Sequence, residues 1–238
     1  MATHPRIAIV AASLDILGGQ GVQAHALQRS LSRDGYSVTF IPINPRFSRG
    51  LGWVRRVPYV RTLLNTALYL PNLVRVAAAD VVHVFSASYA SFLLGPAPAI
   101  TMARLLRKRV VLHYHSGEAG DHLANWGPLV HPWLRMSDVI VVPSEYLAGI
   151  FAGHGYQTHV IRNVVDLSHF EFRERQPLRP RLLSTRNLEP YYRVDVILEA
   201  FARVKAEEPS ATLTVAGFGS EESRLRRLAS SRDSECHF

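Results

Sequence analysis

Apolar residues fall along this chain in short runs, separated by longer stretches in which they recur at helical spacing. Arg6–Ala12 (RIAIVAA) is apolar on both faces, as a strand inside a parallel sheet must be. Val22, Ala26, Leu27 and Leu31 follow on one helical stripe, and Tyr36–Ile43 is a second strand-like run. Asp80–Phe85, Arg109–His113, Asp138–Pro143 and His159–Ile161 predict four more strands. A helix is expected to end over Thr101–Arg107, and Ser144 followed by Glu145 marks the start of another. This alternation predicts an α/β fold with a parallel, Rossmann-like sheet.

A second series begins at Leu182, Leu183 and Ser184. A polar loop follows, from Thr185 to Tyr192; Val194, Ile197, Leu198, Phe201 and Val204 then form a helical stripe that stops at Pro209. Thr212–Ala216 is β-rich and runs into Gly217 and Gly219. This is one β-α-β unit with a right-handed crossover. The loops Thr185–Arg193 and Gly217–Ser220 lie beyond the carboxyl ends of its strands, where ligands bind in such sheets, and are predicted to line one site. Glu171–Pro180, rich in charge and proline, reads as a linker. The expected organisation is a first domain over 1–170, a linker over 171–180 and a partial second domain over 181–238. Ser230–Phe238 shows no helical or strand pattern.

Charge and composition narrow the function. The net charge of +8 and pI near 10.0 favour acidic partners. One cysteine, Cys236, excludes a disulfide framework and suggests a reducing compartment. The first apolar run is too short for a secretion signal, and no run of about 18 apolar residues is present, so a cytoplasmic protein is expected. Gly18, Gly19 and Gly21 after the first strand allow a backbone to approach an anion at a helix N-terminus; a turn that merely joins strand to helix would need them too. The second strand ends Pro42-Ile43-Asn44, without the carboxylate that would hold a ribose, which argues against a nicotinamide enzyme.

Between Asp34 and Asp80 no acidic residue occurs. Asn44–Arg75 instead holds Arg46, Arg49, Arg55, Arg56, Arg61 and Arg75 among Trp53, Tyr59, Leu63, Leu64 and Tyr69. Two readings fit: a helical segment seated on an anionic membrane surface, or helices covering the sheet with their arginines in water. No signature of a nucleic-acid-binding module is present. The fourth strand runs into HYHSGEAGDH. His113 and His115 would point the same way from a continuing strand, with Glu118, Asp121 and His122 in a short loop after them. Zinc sites have established ligand spacings that this loop lacks, and no metal is expected.

The strand, R-N-L-E-P loop, V-D-x-x-L-x-A-F helix, strand and G-x-G at Leu182–Gly219 resemble the opening of the second domain of family 4 glycosyltransferases, which have the GT-B fold. Ile161–Phe170 is similar to that family's I-P-N-G-V-D-x-x-x-F, with Arg162 for Pro and Val164 for Gly. The resemblance spans about residues 6–229. It implies transfer of a sugar, with retention, from a nucleotide diphosphate sugar to a hydroxyl of a glycan or lipid-linked acceptor, with no further cofactor. It implies that Arg186, Arg193, Gly217 and Gly219 meet the donor diphosphate. Gly18, Gly19, Gly21 and His115 would face the reacting sugar, His115 orienting it rather than attacking it. Aligned on Pro190, Val194 and Asp195, the chain has Tyr192 where the family has Lys, Arg193 on a Gly, and Asn187 on the usual Arg, with Arg186 one place off. The family's paired glutamates lie further along, and only 58 residues follow position 180, so the chain is expected to be truncated in the donor domain and inactive alone. A non-catalytic GT-B binding subunit and a nucleotide-sugar 2-epimerase, using Asp121 or Glu118 beside His115, remain as alternatives.

Overall fold

The computed structural model describes residues 4–15, 18–45, 57–231 and 236–238. Contacts divide the chain into a first unit, Met1–Asp166, and a second, Leu167–Phe238. The segment 171–180, expected as a linker, falls wholly in the second.

The first unit is built on a six-stranded sheet, ordered β2-β1-β3-β4-β5-β6. The strands are β1 (Ile7–Ala11), β2 (Val38–Pro42), β3 (Val81–Ser86), β4 (Arg109–Tyr114), β5 (Val139–Val142) and β6 (His159–Val160), all parallel. Alternation along β1 shows why both faces read as apolar. Ala8 and Val10 enter one core with Val82, Val84, Leu112 and Val142. Ile9 and Ala11 enter another with Phe85 and with Ala24 of α1 (Gly19–Arg33). The first of these cores is closed by α2 (Pro58–Asn72), α3 (Ala90–Leu94), α4 (Pro96–Leu105), α5 (Ala119–Met136) and α6 (Glu145–Gly153), through Tyr69, Phe92, Ile100, Leu123, Leu147 and Phe151 among others. Ser144 caps α6 as its sequence foretells, its Oγ accepting from the Leu147 N–H at 3.4 Å. After β6 the chain returns to α1. There the Gln23 amide donates to Val164 O and accepts from Val164 N, both at 2.9 Å, as a strand's backbone would.

In the second unit β7 (Arg181–Ser184), β8 (Thr212–Val215) and β9 (Cys236–His237) form a parallel three-stranded sheet. Helices α7 (Val194–Glu207) and α8 (Glu222–Ser231) bury Leu198, Phe201, Leu225 and Ala229 against Leu213 and Val215.

Four expectations are corrected. The first helix starts at Gly19, ahead of Val22 where its stripe becomes legible, so Gly19 and Gly21 lie in its first turn. Glu118, Asp121 and His122 do not share a loop: α5 begins at Ala119 because Ala119, Leu123, Val130 and Leu134 give it a buried stripe. The fourth helix spans Pro96–Leu105 and stops short of Arg107. Ser230–Phe238 is not patternless, since Ser230 and Ser231 finish α8 and Cys236–His237 pairs with Leu213 and Thr214. A two-residue strand is defined by its backbone partners and leaves no periodicity to read. Of the basic segment, Arg46, Arg49, Trp53, Arg55 and Arg56 lie outside the described residues.

Candidate functional site

In the first unit, parallel register brings chemistry to the carboxyl ends of β3 and β4. Phe85 lies opposite His113 and His83 opposite Val111, which puts His83, Phe85, His113 and the following His115 on one face. The imidazoles of His113 and His115 are 4.2 Å apart, His115 stacks on Phe85, and His83 Nε2 is 3.3 Å from His113 Nδ1. Burial drives the pKa of His115 down to about 4. Burial, then the charges of His115 and His83, drive His113 to about 3. Burial and then His115 take His83 to about 4. All three rings are therefore neutral at pH 7. His113 Nε2 and His115 Nε2 are buried without a hydrogen-bond partner. A neutral imidazole with a vacant nitrogen can give or take one hydrogen bond from a hydroxyl; it supplies no charge. Sequence reading found His113 and His115 but missed His83, whose alternation in DVVHVF was the available signal.

Beside this column, Ser88 Oγ meets the Tyr114 hydroxyl at 2.8 Å, and that hydroxyl meets His122 Nδ1 at 2.7 Å. His122 is fully buried, so it is part of the core of α5 rather than an open ligand. Tyr89, in a left-handed backbone conformation (φ 55°), donates to Asp121 Oδ2 at 2.7 Å, and Asn125 donates to Oδ1 at 2.6 Å. Asp121 thus has two neighbours holding it in place. Among the described residues no group of three or more His, Cys, Asp or Glu could hold a metal ion.

Gly18 caps α1 without a side-chain bond, and no acidic residue occupies the first turn, so no carboxylate of the helix's own first turn offsets the amide dipoles there. A side chain at Gly18 or Gly19 would meet open space; one at Gly21 would press on the carbonyls of Ala12 and Ser13. Gly21 therefore serves the close approach of helix to strand, while side chains at Gly18 and Gly19 would meet nothing among the described residues.

In the second unit the two predicted loops do meet. Leu188 N donates to Phe218 O and Glu221 N to Leu188 O, each at 2.9 Å. A Cβ on Gly217 would collide with the carbonyl of Arg186, and one on Gly219 with that of Leu188. These glycines are required by backbone contact between the loops. Glu189 accepts from Ser220 N at 3.1 Å and Ser220 Oγ at 2.6 Å, bonds that hold its pKa below the ordinary value. Arg186 is exposed, with its guanidinium 5.6 Å above the Tyr192 ring. Arg193 adopts φ 50°, ψ 46°, and its Nε donates to Asp195 Oδ1 at 3.1 Å. That hydrogen bond lowers the Asp195 pKa; the other Asp195 oxygen is 3.8 Å from Arg224, which pairs with Glu221.

The family model of Glycosyltransferase Family 4 matches residues 17–169. Glycogen synthase of Mycobacterium tuberculosis (strain H37Rv) is 31% identical over 143 residues, which cover 54% of this chain and 34% of that protein. The chain thus spans about a third of the curated relatives it matches. Among solved structures, the lipopolysaccharide outer core galactosyltransferase WaaB in its apo form superposes with a TM-score of 0.60 at 13% identity, over 97% of this chain and 66% of its own. An α-glucosyltransferase bound to UDP-glucose and DNA with an abasic site gives 0.58 at 12% identity, over 96% and 61%. S. aureus MnaA with UDP gives 0.57 at 11%, over 98% and 68%. At such identities the superpositions establish the fold.

Proposed function

The chain belongs to glycosyltransferase family 4 and has the GT-B fold, and on that premise we propose that it takes part in transferring a sugar, with retention, from a nucleotide diphosphate sugar to a hydroxyl acceptor in glycan or glycolipid synthesis. The observation that carries this is His115, a neutral imidazole with a vacant buried nitrogen at the carboxyl end of β4. A sugar hydroxyl is the kind of partner such a nitrogen suits. In the transfer, the bond from the anomeric carbon to the diphosphate breaks as the acceptor oxygen forms its own, and charge gathers on the departing diphosphate. Within the second unit the exposed guanidinium of Arg186 is the group assigned to that charge; within the first, the N-terminus of α1 at Gly18, Gly19 and Gly21 is assigned, with His115, to face the reacting sugar. Gly217 and Gly219 shape the loop beside Arg186.

A second reading, a non-catalytic binding subunit, draws support from the same loops. Arg193 is paired with Asp195, and Glu189 holds the Ser220 donors that a phosphate would use. Incubation with UDP-glucose and other sugar nucleotides, with and without oligosaccharide acceptors, separates these. Acceptor-dependent nucleotide release would favour the transferase reading and overturn the expectation that the chain is inactive alone. Calorimetric binding without release would favour the binding subunit. Epimerised sugar nucleotide without release would favour a 2-epimerase.

We also infer a cytoplasmic protein that touches the inner membrane face through the start of α2. Tyr59 is 89% and Leu63 73% exposed, with Arg61 between them, whereas Tyr69 and Leu73 further along are buried. The helix thus divides between the two readings of this segment: its last turn covers the sheet, and its first turns offer an apolar, basic surface to lipid. Among the described residues no helix is long and apolar enough to cross a membrane. Tyr59→Ser with Leu63→Ser should reduce cosedimentation with all vesicles about 10-fold. Arg61→Ser should lower it about 5-fold on anionic vesicles only. Unchanged binding in both variants would remove the membrane from the account.

A further inference from the structure

At the amino ends of β5 and β6, opposite the end that carries His115, the first unit has a cavity of about 450 Å³. Its floor is apolar, from Leu134, Val139 and Ile140; its polar lining includes Arg135, Asp138, His154, Tyr156, Gln157 and His159. The volume falls within the range of small-molecule sites.

The one carboxylate in that lining is already engaged. Asp138 accepts from Arg104 Nη1 at 3.2 and 3.1 Å and from the Val110 N–H at 2.7 Å. The guanidinium of Arg135, by contrast, lies against the phenol of Tyr156. Tyr156 in turn bonds His131 Nδ1 at 2.7 Å, and the His131 and His154 rings are 6.0 Å apart. The His131 pKa is lowered, first by burial and then by the nearby His154 and Arg135.

Helices α5 and α6 both end at this cavity, and helix C-termini attract cations without any ligand. Here, however, four of the last-turn carbonyls have partners of their own. Ser137 N donates to Leu134 O and Ser137 Oγ to Trp133 O; Gly155 N donates to Ala152 O and Tyr156 N to Phe151 O. Gly155, at φ +79°, makes the turn that sets His154 and Tyr156 on the rim. Arg135, His154, Gln157 and His159 therefore offer donors around an apolar floor, with the one lining carboxylate neutralised.

From this arrangement we propose a second binding site, for the phosphomonoester of a sugar-sized metabolite, with Arg135 and His154 holding the phosphate and the apolar floor receiving the body of the molecule. A guanidinium matches two phosphate oxygens at once, and imidazoles add donors to a third. The helix that ends in this cavity, α5, carries Asp121 and His122 in its first turn.

Titration calorimetry of the whole chain with glucose 6-phosphate, inorganic phosphate, sulfate and glucose tests the site without requiring any transferase activity. The expected result is saturable binding of glucose 6-phosphate, at least 10-fold weaker binding of inorganic phosphate and sulfate, and none of glucose. Arg135→Ser and His154→Ser should each weaken glucose 6-phosphate binding at least 5-fold while leaving the thermal unfolding of the free protein within a few degrees of the parent. Both side chains are at the surface, and the second variant guards against a misfolded first. Absence of saturable binding, equal affinity for phosphate and glucose 6-phosphate, or binding that both variants retain would overturn the proposal.

Discussion

The histidine column of the first unit and the arginine loops of the second are both placed at the carboxyl ends of parallel strands, yet they are held by different forces. His83, His113 and His115 are fixed by strand register and by burial, which also keeps them uncharged. Arg186 and Arg193 sit on exposed loops, and Arg193 is steadied by an ion pair to Asp195. A site built by burial depends on pH and hardly on salt; a site built from exposed ion pairs depends on salt and contributes little to stability. The glycines differ in the same way. Gly217 and Gly219 lock one loop to another, while side chains at Gly18 and Gly19 would meet nothing among the described residues.

The largest expected effect breaks the comparison at the glycines. Gly217→Ala forces a methyl group against the backbone carbonyl of Arg186, which cannot move without undoing the Leu188–Phe218 and Leu188–Glu221 bonds. It should destabilise the second unit by about 3 kcal/mol, whereas Gly18→Ala should leave the first unit within about 0.5 kcal/mol. Urea unfolding followed in each unit measures both; equal losses would show that the two glycine groups do the same work.

The next effect is pH-dependent and belongs to the first unit. The three histidines have folded pKa values near 4, 3 and 4 against an ordinary 6.5. Between pH 6.5 and about 4 the unfolded chain takes up protons that the folded one refuses. Stability is therefore fully present above 6.5 and is lost as the pH falls through that window. The loss is at most about 1.4 kcal/mol per pH unit for each histidine. His113→Phe should flatten the slope by about one proton, read from urea midpoints across pH. A stability profile level from pH 7 to 4 would contradict the buried, neutral column.

The smallest effect concerns Arg193, a non-glycine residue in the left-handed region. Arg193→Gly relieves about 1 kcal/mol of backbone strain and removes an exposed ion pair that offsets little of it. The second unit should be unchanged or slightly more stable by thermal unfolding. A clear loss of stability would mean that the Asp195 pair matters more to the loop than its exposure implies.

Much of this was legible in the residues, for identifiable reasons. Strands β1 to β5 are apolar runs bounded by polar turns, and burial on both faces of a parallel sheet writes such runs into the sequence. The Ser144 cap and the stripe of α7 are local signals of the same kind. What escaped was set by partners distant in the chain. His83 joins His113 only through β3–β4 register, Ser88 reaches His122 only through Tyr114, and β9 exists only because β8 pairs with it. The engagement of Arg193 by Asp195 was two residues away, but it depends on the left-handed turn at Arg193, which a residue other than glycine does not advertise.

The claim at the centre of this account is that His115 meets a sugar as a neutral imidazole. Long-range ¹H–¹⁵N spectra of its ring, recorded from pH 8 to pH 5 with UDP-glucose and with UDP alone, test it most directly. An uncharged ring is expected across that range, with the Nε2 resonance shifted by UDP-glucose and not by UDP. A ring that titrates near pH 6.5, or one that responds equally to both nucleotides, would contradict it.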